Sequence, residues 1–117
     1  SQAMQFLEAT TRQVIADLQA YDAFLTPTLA LPPQTVEWFN ESGDPVEDHH
    51  RELLFTPYTA LHNMSGQPAA SLPLHWSDDG LPIGVMVAGL PGQDGPLFSL
   101  CAQIEAAAPW VDRRPAM

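Results

Sequence analysis

The side chains of this 117-residue chain that could form a nucleophile–base pair of the commonest kind are six serines, four histidines and Cys101. A serine attacks a carbonyl only when a neighbouring base takes its proton, and that base is normally histidine or lysine. The chain has no lysine: its four basic residues are Arg12, Arg51, Arg113 and Arg114. No Gly-x-Ser-x-Gly elbow surrounds any serine, and Ser65-Gly66 follows a helical stretch rather than a strand, so a Ser-His-Asp triad has no local support. His49-His50 with His62, Glu47 and Asp48 could suggest a metal. Adjacent histidines on a helix point about 100° apart, however, and do not share a face as i, i+4 ligands do. Cys101 falls on an apolar helical stripe and reads as a small core residue. Asp78-Asp79 is explained by turn chemistry. The expectation is that this chain carries no catalytic residue, no metal and no cofactor of its own.

Fourteen acidic against four basic residues give a formal charge of −10, which disfavours nucleic acid as a partner. Hydrophobic residues make up 45 % and charged residues 15 %, a globular composition, with 12 prolines that need turns, strand edges or helix starts. One cysteine excludes an internal disulfide and suits a reducing, cytoplasmic setting. No apolar run approaches a membrane span, and no basic region followed by an apolar core suggests a signal peptide. The opening Ser1-Gln2-Ala3-Met4 runs straight into a helical pattern and reads as a cut or a tag scar.

Leu7, Thr11, Val14 and Leu18 form one stripe of a helix over residues 4–20. Residues 23–26 are a short buried strand that Pro27 closes. Residues 29–43 have no sustained period and read as an irregular excursion. Asp44-Pro45-Val46-Glu47 is a helix start, with Asp44 as cap and Pro45 in the first turn, and about two turns should follow. Thr56-Pro57 interrupts them, and Tyr58, Leu61 and His62 continue to a stop at Gly66. Residues 69–76 and 83–90 are strands joined by Ser77-Asp78-Asp79-Gly80 as a hairpin. A final helix begins near Gly95-Pro96, buries Leu97, Leu100, Cys101 and Ile104, and stops at Pro109. The order is helix, strand, helix, strand, strand, helix: an α/β unit whose strands read apolar on both faces.

Phe55-Thr56-Pro57, Asn63-Met64-Ser65-Gly66-Gln67-Pro68-Ala69, Ser71-Leu72-Pro73 and Gly80-Leu81-Pro82-Ile83-Gly84, preceded by Leu25-Thr26-Pro27-Thr28, resemble the C-terminal part of amidase signature enzymes. The resemblance covers roughly residues 20–112. It implies one large mixed sheet, of which this chain is the closing segment, residues 1–117, with the catalytic region upstream. The family uses a serine nucleophile, a second serine in a cis peptide and a lysine, and hydrolyses a carboxamide to a carboxylate and ammonia or an amine without a metal. By the same resemblance Thr26, Pro27, Asn63, Gly66, Pro68 and Gly84 are structural motif positions. Trp38, Phe39, Phe55 and Tyr58 are candidates for the walls of a substrate pocket, or else ordinary core aromatics. Met86 departs from the pattern, standing where many relatives have glutamine. Alone, the chain should be inactive and should leave sheet edges and apolar faces uncovered. Its expected partners are the missing N-terminal catalytic part and, in the complete enzyme, a small amide, with homo-oligomerisation left open. The alternatives are a transamidation subunit that draws ammonia from glutamine, and a non-catalytic binding or scaffolding piece.

Overall fold

The computed structural model describes residues 1–115. Helix α1 (Gln2–Leu18) is capped by the Ser1 hydroxyl, which accepts from the Met4 amide. Its inward stripe is the expected one: Thr11 is buried, with its hydroxyl donated to the Leu7 carbonyl, while Leu7, Val14 and Leu18 are half-buried. Strand β1 (Phe24–Pro27) follows and takes Pro27 as its last residue instead of stopping before it. Proline fits there because a strand end and an open edge need no donor.

The excursion contains one 3-10 turn, Glu37–Asn40. Helix α2 (Pro45–Phe55) starts as read from the sequence, with the Asp44 carboxylate accepting from the Val46 amide at 2.9 Å. It runs for 11 residues, longer than the two turns expected, because its ladder continues to a Thr56 N–H donated to the Glu52 carbonyl before Pro57 ends it. Asp44→Ala removes that cap and should lower stability by about 1 kcal/mol, read as a shift in the urea midpoint with an unchanged slope.

Helix α3 (Thr59–Ser65) ends at Gly66 in the left-handed region, φ 69°, where a side chain would be strained. Strands β2 (Ala69–Trp76) and β3 (Pro82–Ala88) form the predicted hairpin. Its turn is fixed by the Ser77 hydroxyl, which accepts from the Leu81 amide, and by Gly80 at φ 78°. A bulge lies between Leu72 and His75, where Pro73 has no N–H to give to the ladder. Helix α4 (Asp94–Ala107) closes the fold.

The sheet is antiparallel throughout, in the order β1-β3-β2, with Leu25 opposite Val87 and Ala70 opposite Val87 on the other side. Strand alternation therefore puts Leu25, Ala70, Leu72 and Val87 on one face and Thr26, Ser71, Met86 and Ala88 on the other. Leu72, Val87 and Leu97 of α4 make the core, with Ala23, Leu74, Leu100, Cys101, Ile104 and Trp110 around them. The strands are apolar on both faces, as read from the sequence: the second face carries Phe24 with the buried Met86 and Ala88, although Thr26 and Ser71 add hydroxyls to it, and α3 covers part of it through a His62–Phe24 ring contact at 5.6 Å.

The molecule is a slab of 44 × 42 × 16 Å. Its radius of gyration, 16.7 Å, exceeds the ~13 Å of a compact chain of this length. Its 8222 Å² of accessible surface likewise exceeds the roughly 6,300 Å² of a compact monomer of this mass. Phe6, Leu25, Leu53, Leu54 and Phe98 are all exposed, and among the described residues no helix is long and apolar enough to cross a membrane.

Candidate functional site

Three of the four aromatic residues singled out from the sequence meet. Trp38 and Phe39 arrive on the 3-10 turn, and Phe55 is the buried last residue of α2. Their ring centroids lie 5.1 Å (Trp38–Phe39), 5.6 Å (Trp38–Phe55) and 5.4 Å (Phe39–Phe55) apart, the two involving Phe39 edge to face. That is the range in which aromatic pairs attract beyond simple burial. Tyr58 does not join them: it is half-buried at the start of α3 and stands outside the cluster.

Beside the cluster is an open slot of about 250 Å³ lined by Ala30, Leu31, Trp38, Arg51, Leu54 and Phe55. Leu31 and Leu54 are exposed, so this apolar wall faces outward. The Ala30 amide donates to the Phe55 carbonyl at 3.0 Å and holds the start of the excursion against the end of α2. Arg51 is the slot's one charged residue. Its position one helical turn after Asp48 was the available signal for it, and pattern reading passed it over.

A second concavity, about 230 Å³, lies between α3 and the hydroxyl face of the sheet, lined by Thr28, Thr59, His62, Asn63, Ser71 and Met86 among others. The Thr28 and Ser71 hydroxyls share a hydrogen bond of 2.7 Å across Gly84. A Cβ on Gly84 would stand 2.5 Å from the Ser71 hydroxyl oxygen and 2.6 Å from that of Thr28, so this close approach requires glycine. Two further motif positions shape the backbone. Gly66 ends α3, and the Pro68 carbonyl accepts from the Gly89 amide. Gln67, which pattern reading left without a role, is buried and donates to the Gly89 carbonyl at 3.1 Å while accepting from Ser65. Asn63 is exposed at the rim of the concavity.

His62 is buried, and its Nδ1 has no hydrogen-bond partner; burial pushes its pKa below the ordinary 6.5. Between the folded and unfolded values the unfolded chain binds more protons. The His62 contribution is therefore fully present above about 6.5 and is lost as pH falls through the folded value. Urea midpoints should drop from about pH 7.5 to about pH 5, and His62→Gln should flatten that part of the profile.

Among the described residues no catalytic constellation is assembled. Among the described residues no serine is hydrogen-bonded to a histidine: Ser42 binds Asp48, Ser65 binds Gln67, Ser71 binds Thr28 and Ser77 holds its turn. Among the described residues no three of His, Cys, Asp and Glu cluster as metal ligands. His49 pairs instead with Glu52 at 3.5 Å.

Residues 1–98 match the family model described as Amidase. The 6-aminohexanoate-cyclic-dimer hydrolase of Pseudomonas sp. (strain NK87) is 37 % identical over 103 residues, which cover 83 % of this chain and 21 % of that protein. A solved structure of 6-aminohexanoate cyclic dimer hydrolase complexed with substrate superposes with a TM-score of 0.82 at 34 % identity, over 93 % of this chain and 24 % of the other. A glutamyl-tRNA(Gln) amidotransferase subunit from Thermotoga maritima superposes with a TM-score of 0.75 at 30 % identity, over 96 % of this chain and 23 % of the other. The chain spans between a fifth and a quarter of the length of these relatives.

Proposed function

The chain belongs to the Amidase family, and from that premise we propose that it is the closing segment of a serine-dependent amidase whose catalytic serines and lysine lie on the part of the enzyme outside these residues. The observation that carries this reading is the superposition of 93 % of this chain on 24 % of a 6-aminohexanoate cyclic dimer hydrolase, in a sequence without lysine. The complete enzyme, a cytoplasmic protein in this reading, acylates its serine with a carboxamide, releases ammonia or an amine, and hydrolyses the acyl-enzyme.

The flat shape, the excess accessible surface and the exposed apolar side chains support a segment that packs against more of the enzyme. Within that assembly, Trp38 and Phe55 wall a slot for the apolar part of the amide, while Phe39 and Tyr58 pack behind or beside it. No residue of this segment enters the bond-breaking steps. Ammonia release from simple carboxamides by the complete protein tests the reading, and a complete protein that leaves every such amide intact would overturn it.

The likeness to an amidotransferase subunit favours a second reading, in which the ammonia comes from glutamine and passes to a partner. Glutaminase activity that rises on adding a partner protein, with simple amides left untouched, would select it.

A further inference from the structure

Trp38 sits on a short 3-10 turn in an otherwise irregular excursion, a poor platform for the wall of a binding slot. Four observations converge on how it is held. The Arg51 guanidinium lies over the Trp38 ring, 4.5 Å from its centroid. The same guanidinium donates to the Glu41 carboxylate at 3.0 Å and faces Asp48 at 3.9 Å. The Asp48 carboxylate, on a buried residue, accepts from the Ser42 hydroxyl at 2.7 Å and from the Ser42 amide at 3.2 Å. The Ser42 hydroxyl in turn sits 3.1 Å from both the carbonyl and the amide of Asp44, the cap of α2. The far end of the excursion is therefore tied to the first turns of α2 through Asp48 and Arg51, and the indole is clamped between Arg51 and the two phenylalanines.

We propose that Arg51 is a positioning residue: anchored by Glu41 and Asp48, it fixes the Trp38 indole so that the slot beside Leu54 and Phe55 takes an unbranched, uncharged apolar chain. The inference rests on the amidase reading of the slot and goes beyond it by naming what sets its shape and charge. Two carboxylates occupy the guanidinium, which leaves no free cation for a ligand carboxylate. Trp38 meets Phe55 at a tilt of 53° with Leu54 also lining the slot, and such an angled apolar wall suits a slim extended chain better than a branched one. Arginine is required rather than lysine, because a planar guanidinium stacks on the ring while bonding a carboxylate in its own plane.

The test uses the complete enzyme and follows the Trp38 indole N–H cross-peak, assigned by its absence in Trp38→Phe, during titration with hexanamide, branched pivalamide and hexanoate. The expected result is a saturable shift with hexanamide and clearly weaker shifts with the other two. Arg51→Met should weaken hexanamide binding about fivefold and erase the preference over pivalamide, and Arg51→Lys should restore little of either. Glu41→Gln, at an exposed carboxylate, leaves Arg51 in place and should show part of the same loss, which keeps the test informative if Arg51→Met does not fold. Wild-type enzyme without a saturable shift, or unchanged affinity and chain preference in both variants, would overturn the proposal. Arg51-dependent binding here alongside a complete enzyme that spares amides would defeat the amidase reading alone. Amidase activity in the complete enzyme with an Arg51-independent slot would defeat this inference alone.

Discussion

Pure 117-residue chain should release no ammonia from hexanamide, while the complete enzyme should hydrolyse it at least about a million-fold faster than water alone. Amide hydrolysis needs a nucleophile, a base to take its proton and donors that hold the oxyanion. The chain has no lysine, and five of its six serines already spend their hydroxyls on turns, caps or cross-strand bonds. His62, the buried histidine, stacks on Phe24 with Nδ1 unpaired, so it has no serine to deprotonate. Ammonia measured enzymatically over many hours, with the complete protein as positive control, checks this. Release by the isolated chain that co-purifies with it through two unrelated columns would sink the proposal that catalysis lies elsewhere.

Val87→Asp should abolish folding of the isolated chain. Val87 lies on the central strand, flanked by Leu25 and Ala70, beneath α4, and is the one large side chain fully removed from solvent among the described residues. A carboxylate there has no arginine partner within the core cluster and must either stay charged without water or take up a proton. Either course costs several kcal/mol, a large share of the roughly 5–15 kcal/mol that holds even a full domain together. With only six buried hydrophobic residues among those described, this slab has less margin than that. Loss of near-ultraviolet circular dichroism and of dispersed amide signals is the expected outcome. A cooperative thermal transition in the variant would show that the β3–α4 contact is not what holds the fold.

Local signals in the chain were strong wherever one residue sets the backbone. Asp44-Pro45 marked the start of α2, Gly66 the end of α3, and Ser77 to Gly80 the hairpin, because capping, left-handed φ and turn hydrogen bonds act within four residues. The length of α2 was misjudged because whether a helix runs on to Phe55 depends on packing, here against Trp38 and Phe39, that no local window contains. The hydroxyls on the second strand face escaped sequence reading for a related reason. Thr26, Ser71 and Gly84 look like interruptions in sequence, and only the β1-β3-β2 order places them on a single face.

The same division runs through the site. By itself the sequence determined membership of the family, the absence of a lysine base, and the aromatic residues from which a slot could be made, since these depend on residue identity and near-neighbour spacing. Only the tertiary structure decided that Trp38, Phe39 and Phe55 converge while Tyr58 does not, and that Arg51 reaches back to Glu41 and Trp38. Apart from that between the neighbouring Trp38 and Phe39, those contacts join residues about 10 or more apart across an irregular excursion, and the path of such a segment is set by what it packs against rather than by its own propensities.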